Sequence, residues 1–547
     1  MTQSEEAATL RSHIAAIDLE PTPPLVRFPS VYNASFDLVD RHLAEGRGDK
    51  IAYRDDRTSL TYAQLAQRVD AAGHALRSLG VQPEQRVLLL MLDTVDFPAM
   101  FLGAMKIGAV PVPVNTLLKP QDYAFFVRDS RAHIVVVSDV LLSGLDLALS
   151  GPSAAHPKII VASSPLGSSE EGGHSHPHLV LDDLLLRDHS PLEPYPTTPD
   201  DTAFWLYSSG STGAPKGAVH LHAHLMRTAA LYAQGILGMR EDDVVYSAAK
   251  LFFAYGLGNA LTFPLSVGAT AILSAARPTV AEVARVMRAH EPTIFCGVPT
   301  LYASLLADDD VMTKGLSPKL RVGTSAGEGL PRHVGEAFRA RFETDILDGI
   351  GSTEMLHIFI SNRPSDVRYG TTGKPVPGYE LKLVGEDGQP VSDGDEGSLW
   401  VKGTTACSKY WNQRERSLAT FHGPWTRTGD QYVRDAEGYY TYSGRSDDML
   451  KVGGIWVSPF EVETALSAHA NVLESAVIGA PDEHGLIKPK AFVVLKKNVE
   501  RSTALESELK AFVKERLAPF KYPRTIEFVE DLPKTATGKI QRFKLRG

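Results

Sequence analysis

The residues best suited to chemistry lie in one short segment, 207–217, whose sequence is YSSGSTGAPKG. Its glycines allow the backbone to adopt positive φ angles, so that successive N–H groups can converge on an anion. Serine and threonine hydroxyls add hydrogen-bond donors, and a lysine adds a positive charge. This combination predicts a loop that binds the phosphates of a polyphosphate ligand. Its binding residues are Ser208, Ser209, Gly210, Ser211, Thr212, Gly213 and Lys216.

This segment differs from the GxxxxGK[ST] loop of P-loop NTPases. Counting from Gly210 places Pro215 before the lysine and Gly217 after it, where that motif has a glycine and a hydroxyl residue. An exposed turn rich in serine and glycine would have the same composition. Taken alone, the segment therefore leaves both a phosphate site and an ordinary surface loop open.

Length and charge narrow the class of protein. A chain of 547 residues is too long for a single hydrophobic core, so we expect a large domain and a smaller one. The 56 Lys and Arg against 65 Asp and Glu give a net charge of −9, and no basic cluster indicates nucleic acid or an anionic membrane. The two cysteines, Cys296 and Cys407, lack zinc-site spacing and indicate a reducing compartment.

Two further segments bear on location and metal binding. Residues 251–276 carry no charge, but they contain Pro264 and several glycines, so we expect a buried helix and strand rather than a membrane span. The run GHSHPH at 173–178 has no second cluster to complete a metal shell, and we expect a solvated loop. The N-terminus lacks the pattern of a signal peptide, so the sequence predicts a cytoplasmic protein.

The order of hydrophobic patterns predicts the fold class, α/β. Strands alternate with helices to about residue 360, which is typical of layered αβ subdomains around a largely parallel sheet. From Leu381, short strands separated by Gly and Asp turns predict a β-rich subdomain. We expect these parts to form one N-terminal domain, 1–446, followed by a small α+β domain, 447–547.

The C-terminal domain carries its own local signals. Gly453 and Gly454 predict the turn of a hairpin. Ser458 is placed to cap the next helix, with Pro459 in its first turn and Glu461 completing a capping box.

Several motifs, in order along the chain, resemble those of the adenylate-forming superfamily, which includes acyl-CoA synthetases, adenylation domains of peptide synthetases and luciferases. The superfamily pattern [ST][ST]G[ST]TGxPKG is matched at every position of 208–217, and DGIGSTE at 348–354 is similar to its nucleotide motif. The resemblance implies that ATP is bound, that Thr353 hydrogen-bonds the α-phosphate, and that Glu354 holds Mg²⁺ against the triphosphate.

The resemblance assigns further residues to the nucleotide. SAGE at 325–328 resembles the segment beside adenine, Asp430 the carboxylate that accepts the ribose hydroxyls, and Arg445 the arginine that assists it. Many relatives carry an aromatic residue where this chain has Ile350, so adenine would pack on an aliphatic face. The implied ATP-binding residues beyond the phosphate loop are Ala326, Gly327, Glu328, Asp348, Gly349, Ile350, Thr353, Asp430, Arg445 and Lys539.

Residues 532–542, LPKTATGKIQR, resemble the C-terminal motif whose second lysine, Lys539, enters the active site during adenylation. Its cation would bridge the substrate carboxylate and the α-phosphate, which repel each other. The resemblance also implies that Asp447 is a hinge of the small domain. Gly453 and Gly454 would then leave room for the pantetheine chain of coenzyme A.

LFFAYGLG at 251–258 and MLHIFISN at 355–362 resemble benzoate-CoA ligases and their hydroxybenzoate relatives. Small Ala254 and Gly351 against aromatic walls suit a planar ring, although the same aromatic residues could be ordinary core. The implied acid-binding residues are Phe253, Ala254, Tyr255, Gly327, Gly351, His357 and Ile358.

The resemblance therefore predicts an ATP- and Mg²⁺-dependent, AMP-forming ligase that joins an aromatic acid, first of all benzoate, to coenzyme A. Its alternatives are a ligase for hydroxybenzoates or medium-chain acids, and an adenylating protein that releases no thioester. We expect a monomer or homodimer with no nucleic-acid or membrane partner.

Overall fold

The structure is a computed structural model that describes residues 13–150, 157–167, 176–208, 215–445, 448–452, 455–482, 487–518, 521–534 and 540–546. Some predicted site residues lie outside the described residues: Ser209, Gly210, Ser211, Thr212, Gly213, Asp447, Gly453, Gly454 and Lys539. Every other predicted site residue is described.

Two sheets form the body of the N-terminal part. Nine described strands make one sheet, in which six neighbouring strands are parallel and the outermost strands are antiparallel. In spatial order they are Lys374–Pro375, Ile358–Ser361, Ile346–Gly351, Val322–Ser325, Ile294–Gly297, Val244–Ser247, Thr270–Ile272, Ile51–Arg54 and Ser59–Thr61. The other sheet is parallel, with strands Val110–Pro113, Arg86–Leu90, Ile134–Ser138, Lys158–Ala162 and His178–Val180.

Helices pack on these sheets and bury most of the strand residues, as parallel strands require. The α-helices of the N-terminal part are Ala34–Ala44, Tyr62–Ser78, Asp96–Lys106, Pro120–Ser130, Leu142–Leu149, Leu181–Leu185, His222–Thr228, Ala254–Leu257, Phe263–Val267, Val280–His290, Pro299–Leu306, Asp309–Lys314, Arg332–Phe342 and Arg414–Thr420. The sequence predicts that Thr61 caps the helix that follows it, and the structure confirms this cap, since the side chains of Thr61 and Gln64 form a reciprocal capping box. The predicted layered α/β architecture is likewise confirmed.

Antiparallel strands follow the α/β body, as predicted. Five of them form one sheet: Glu380–Val384, Glu396–Lys402, Phe421–His422, Trp425–Arg434 and Tyr440–Arg445. A separate ribbon pairs Thr202–Ser208 with Lys216–Leu221, with Ser208 opposite Lys216. Both ends of the predicted phosphate loop are therefore held by paired strands. A further short ribbon near the N-terminus pairs Ala16–Asp18 with Leu25–Arg27.

The C-terminal part has its own hydrophobic core. The predicted hairpin is confirmed, because Leu450–Val452 pairs with Ile455–Val457. Helices Pro459–Ser467 and Thr503–Arg516 pack with the sheet of Val472–Pro481, Ile487–Leu495 and Thr525–Phe528. A 3₁₀ turn, Arg542–Leu545, ends the described chain.

One local prediction in this part is wrong. Ser458 caps the helix as expected, because its hydroxyl accepts the N–H of Glu461 at 3.1 Å. Glu461 does not close the capping box, since its carboxylate binds the Lys521 ammonium at 2.6 and 2.7 Å. The carboxylate of Glu461 therefore binds Lys521, which is distant in sequence, instead of the backbone N–H at the start of its own helix.

The uncharged segment 251–276 folds into short elements, as predicted. A π-helical turn, Gly258–Thr262, links the helices Ala254–Leu257 and Phe263–Val267, and the strand Thr270–Ile272 follows. Among the described residues, no helix combines the length and the apolar composition that crossing a bilayer demands.

Two regions differ from the sequence-based expectation. The spacing of apolar residues over 221–237 predicts a helix, but this helix changes to a π-helical turn, Ala229–Gln234, where the Thr228 hydroxyl donates to two carbonyls of its own helix at 2.9 and 3.0 Å. The Ser-, Gly-, Pro- and His-rich composition of residues 150–200 predicts a surface excursion around one strand, Ile159–Ala162, but His178–Val180 also adds to the parallel sheet and Leu181–Leu185 is helical. Both elements are too short to give a hydrophobic period.

A buried ion cluster joins three helices and yields a stability prediction. The Lys106 ammonium donates to both Asp40 carboxylate oxygens at 2.8 and 3.0 Å and to Asp70 at 2.5 Å, and the lysine side chain is 1% exposed. Lys106→Met leaves these carboxylates without their shared cation, so it should lower the free energy of unfolding by about 3–5 kcal/mol.

The control is Lys402→Met, which breaks the exposed pair with Glu380 and should lower the free energy of unfolding by about 0–1 kcal/mol. Urea denaturation of both variants measures the difference. Equal losses would contradict the prediction.

Candidate active site

Glu354 lies where three distant parts of the chain meet. Its carboxylate Oε1 accepts a hydrogen bond from the Tyr410 hydroxyl at 2.6 Å, and the Ser208 hydroxyl lies 3.5 Å from the same oxygen. Its backbone carbonyl accepts the N–H of Cys407 at 2.7 Å. The carboxylate is thus held by neutral donors, which do not cancel its charge.

Lys216 lies on the ring of the same tyrosine. Its Nζ is 4.8 Å from the centroid of Tyr410, within cation–π range. The strand Lys216–Leu221 is joined to segment 407–411 by backbone hydrogen bonds, from Val219 N to Lys409 O at 3.0 Å and from Trp411 N to Gly217 O at 2.8 Å. This pairing brings Lys216 to the ring, and Glu354 to the hydroxyl, of one tyrosine.

Thr353, the predicted α-phosphate donor, is anchored through its backbone. The buried imidazole of His220 donates from Nε2 to the Thr353 carbonyl at 2.8 Å, and His220 Nδ1 lies 3.2 Å from His224 Nδ1. Burial lowers the pKa of His220 to about 4, so this ring is neutral at physiological pH. The Thr353 carbonyl is therefore held without adding a charge.

The predicted adenine residues lie at one sheet edge. Ser325 and Asp348 are opposite each other on neighbouring parallel strands, and the carboxyl ends of such strands meet at a single edge. Gly327 has φ +99°, a backbone conformation that residues with side chains rarely adopt. Burial raises the pKa of the Asp348 carboxyl well above its ordinary value. The residues brought together at this edge are Ala326, Gly327, Glu328, Asp348, Gly349 and Ile350.

Asp430 and Arg445, predicted to act on the ribose, form an ion pair. They are opposite each other on antiparallel strands, and the guanidinium donates to Asp430 Oδ1 at 3.1 Å. The same Arg445 nitrogen lies 3.3 Å from the Thr428 carbonyl. A carboxylate fixed in this way can accept hydrogen bonds from two neighbouring hydroxyls.

Two contacts join the C-terminal part to the adenine edge. The backbone N–H of Ile540 donates to Glu328 Oε1 at 3.0 Å. A Cβ built at Gly329 would lie 2.4 Å from Cζ of Phe460, so this ring rests directly on the glycine. The first contact places the C-terminal part against Glu328, which is predicted to bind the nucleotide, and the second lies at the next residue along the chain.

His357 is the centre of the predicted acid-binding group. Its ring centroid lies 5.6 Å from that of Tyr255, 5.3 Å from Tyr232 and 4.4 Å from Phe263. Burial lowers the pKa of His357 to about 3, so its ring is neutral. The Tyr255 hydroxyl is 2.7 Å from that of Thr324. The structure thus brings Tyr255 and His357 into one aromatic cluster.

Small residues allow the backbone to approach this cluster. A Cβ at Gly258 would lie 2.3 Å from His357 Cδ2, and a Cβ at Gly351 would lie 2.5 Å from the His357 carbonyl oxygen. Gly351 is also opposite Ile358 in the antiparallel register. Phe253 and Ala254 begin the neighbouring helix Ala254–Leu257.

A cleft of about 170 Å³ opens beside Phe253. Aromatic residues and the two ends of the phosphate loop line it: Phe125, Phe126, Tyr207, Ser208, Pro215, Phe252 and Phe253. Of the predicted acid-binding residues that the structure describes, Phe253 alone lines this cleft. The cleft is therefore bordered by Ser208 and Pro215, the described residues on either side of the phosphate loop, and His357 is not among its lining residues.

No group of three or more His, Cys, Asp or Glu side chains suited to a metal ion occurs in the described ranges. A divalent cation here would depend on Glu354 and on oxygen atoms of the bound ligand. That is the usual way in which Mg²⁺ binds, with one or two carboxylates and substrate phosphates.

Sequence reasoning missed Tyr410 and His220. Neither belongs to a motif that was assigned a role, and each contacts the Thr353 and Glu354 pair from a remote segment. The tyrosine of KYWN and the first histidine of VHLH give no signal by type or spacing. Only the pairing of Lys216–Leu221 with segment 407–411 reveals them.

Comparison with known proteins identifies the family of the chain. The model of the AMP-binding enzyme family matches residues 40–411, and that of the AMP-binding enzyme C-terminal domain matches residues 461–539. The chain is 56% identical to the benzoate–CoA ligase of Thauera aromatica over 97% of this chain and 99% of that one. It is 49% identical to the 4-hydroxybenzoate–CoA/benzoate–CoA ligase of Rhodopseudomonas palustris, over 94% of each chain.

Solved structures are similar over the same length. A benzoate CoA ligase from Burkholderia xenovorans LB400 is 52% identical with a TM-score of 0.87, and the match covers 94% of this chain and all of that one. The anthranilate CoA ligase AuaEII, solved in complex with anthranoyl-AMP, is 43% identical with a TM-score of 0.89, over 95% and 97% of the two chains.

The close approach at Gly258 yields a prediction. Gly258→Ala would drive a methyl group into the His357 ring, so it should lower the free energy of unfolding by about 1–3 kcal/mol. The matched control is Gly144→Ala, also in a helix, whose Cβ would meet its nearest neighbour at an ordinary 3.8 Å. That variant should be neutral or stabilised by up to about 1 kcal/mol. Chemical denaturation of both decides, and a neutral Gly258→Ala would refute the packing described for His357.

Proposed function

The chain belongs to the family of AMP-binding enzymes, and from this premise we propose that it is a benzoate–CoA ligase of the AMP-forming type. The observation that carries the proposal is 56% identity over 97% of the chain to a protein named for that activity. The aromatic side chains grouped around His357, with the small residues Gly258 and Gly351 against the same histidine, support a flat aromatic acid as the substrate. ATP and coenzyme A would be the other substrates.

In the first half-reaction, a benzoate carboxylate oxygen attacks the α-phosphorus of ATP. The bond from this phosphorus to pyrophosphate breaks, and benzoyl-adenylate forms. Because both reactants are anions, the protein must offset their repulsion in the transition state. We assign the triphosphate to the phosphate loop with Lys216, the α-phosphate to Thr353, and the ribose hydroxyls to Asp430 with Arg445.

Mg²⁺, when bound to ATP, would offset charge on the triphosphate, and Glu354 is the residue that would hold it. The site fits this role. Among the described residues, the hydrogen-bond donors to the Glu354 side chain are Tyr410 and Ser208, both at Oε1 and both neutral, so the second oxygen and the negative charge are left for the cation.

Lys539 is proposed as the cation that bridges the attacking carboxylate and the α-phosphate. The contact between Ile540 and Glu328 supports this role, because it places the next residue along the chain at the adenine edge. In the second half-reaction, the thiol of coenzyme A attacks the acyl carbon and AMP leaves. We propose that the small domain, 447–547, turns about Asp447 for this step and presents Gly453 and Gly454.

One observation favours a second acid, 4-hydroxybenzoate. His357 Nδ1 is buried without a hydrogen-bond partner among the described residues, so a ring hydroxyl that reached it could bond to it. The R. palustris relative is named for 4-hydroxybenzoate as well as benzoate.

We further propose that the enzyme is cytoplasmic and that it is a monomer or a homodimer. Cys296 and Cys407 are both buried and free, as expected where thiols remain reduced.

Benzoate should have the highest kcat/KM in a panel of benzoate, hydroxybenzoates, aminobenzoates, cyclohexanecarboxylate and hexanoate, assayed by AMP release. If hexanoate exceeded benzoate by about tenfold, or ~1.4 kcal/mol in transition-state binding, the aromatic assignment would be wrong.

Ala254→Leu should exclude substituted benzoates before it weakens ATP binding, because the added volume faces the acid. An unchanged ranking in Ala254→Leu would remove this residue from the pocket.

The two half-reactions should respond differently to changes in the small domain. Lys539→Ala should slow formation of benzoyl-adenylate by about 10²-fold or more, because a preorganised charge is lost. Thioester formation from presynthesised benzoyl-adenylate should be nearly intact. Asp447→Pro, which fixes φ at the hinge, should retain adenylation and slow transfer to coenzyme A. Equal losses in both half-reactions for Lys539→Ala would contradict the alternation of domains.

A further inference from the structure

Tyr410 is a buried side chain with two different polar partners. It is 3% exposed, its hydroxyl donates to Glu354 Oε1 at 2.6 Å, and its ring lies 4.8 Å from the Lys216 ammonium. These partners come from segments that are far apart in sequence. One is the proposed Mg²⁺ ligand and the other is the proposed phosphate-loop cation.

The backbone around Tyr410 is fixed independently of any ligand. Its N–H donates to the Ser417 hydroxyl at 3.0 Å, and its ring packs 5.2 Å from that of Phe421. The Gln413 side chain donates to the Pro215 carbonyl at 3.1 Å, at the end of the phosphate loop. The tyrosine is therefore a rigid support, and Glu354 is the side chain that it orients.

Chemistry explains why a tyrosine suits this place. A neutral O–H donor restrains Glu354 without lowering the negative charge that a cation needs, whereas a lysine or arginine at the same distance would neutralise it. The aromatic face meanwhile gives Lys216 a partner other than the carboxylate. An ammonium and a carboxylate that would otherwise pair with each other are kept apart.

We propose that Tyr410 is a positioning residue for the reaction, which holds Glu354 by its hydroxyl and Lys216 by its ring so that both charges face the magnesium-bound triphosphate. This inference rests on the proposed role of Glu354 as the Mg²⁺ ligand. It goes beyond the proposed function because it assigns a task to a residue outside the family motifs described above.

The test is direct binding of ATP, measured by calorimetry over a range of MgCl₂ concentrations, without acid or coenzyme A. Removing a hydrogen bond to a charged group should shift binding by about tenfold, so Tyr410→Phe should need about tenfold more Mg²⁺ for half-maximal ATP binding. Binding of AMP in EDTA should stay within about twofold of wild type, because no cation is involved.

The matched control is Tyr369→Phe. Tyr369 also donates to a carboxylate, that of Asp345 at 2.8 Å, but away from Glu354. This variant should keep the wild-type requirement for Mg²⁺. Glu354→Gln completes a double-mutant cycle, in which Tyr410→Phe should add less than about twofold once the carboxylate is gone.

Three results would overturn the inference. One is a wild-type Mg²⁺ requirement in Tyr410→Phe, and another is an equal shift in the Glu354→Gln background. The third is a matching loss of AMP binding in EDTA, since that would make the residue merely structural. If the wild-type protein binds ATP with Mg²⁺ but releases no AMP with benzoate and coenzyme A, the proposed acid is wrong and this inference still holds.

Discussion

The site depends on one electrostatic constraint, which is that opposite charges of the protein must stand close together without neutralising each other. Glu354 and Lys216 both approach Tyr410, one at the hydroxyl and the other at the ring. Neutral groups also hold Thr353, through the buried imidazole of His220. Tyr410 thus contacts one cation and one anion, which in the proposed roles would bind phosphates and a metal ion. A salt bridge between Glu354 and Lys216 would weaken the attraction of each side chain for a charged ligand.

This arrangement accounts for the architecture around it. The carboxyl ends of parallel strands bring Ser325 and Asp348 together, and the antiparallel sheet adds Asp430 with Arg445. Segment 407–411 ties this half to the phosphate loop through backbone hydrogen bonds. The C-terminal part then reaches the same edge through Ile540. Contacts between segments that are far apart in sequence thus assemble the site, to which each segment contributes only one or two polar groups.

The sequence predicted those features of the fold that depend on residues close together in the chain. The cap at Thr61, the hairpin before Ser458 and the alternation of strands and helices follow from residue type and spacing, and the structure contains each of them. The sequence did not predict contacts that a side chain makes with a residue far away in the chain. Glu461 binds Lys521 rather than its own helix, and Tyr410 acquires a role only through the fold. A side chain whose partner lies more than 50 residues away leaves no periodic signal.

The central claim is that benzoate is activated as its adenylate and then transferred to coenzyme A. The most direct measurement is a single turnover with benzoate that carries ¹⁸O in both carboxylate oxygens, followed by mass spectrometry of the products. Because the carboxylate oxygen that attacks phosphorus remains with AMP when the thiol attacks carbon, the account predicts one ¹⁸O in AMP and none in pyrophosphate. Unlabelled AMP, or label in pyrophosphate, would contradict it.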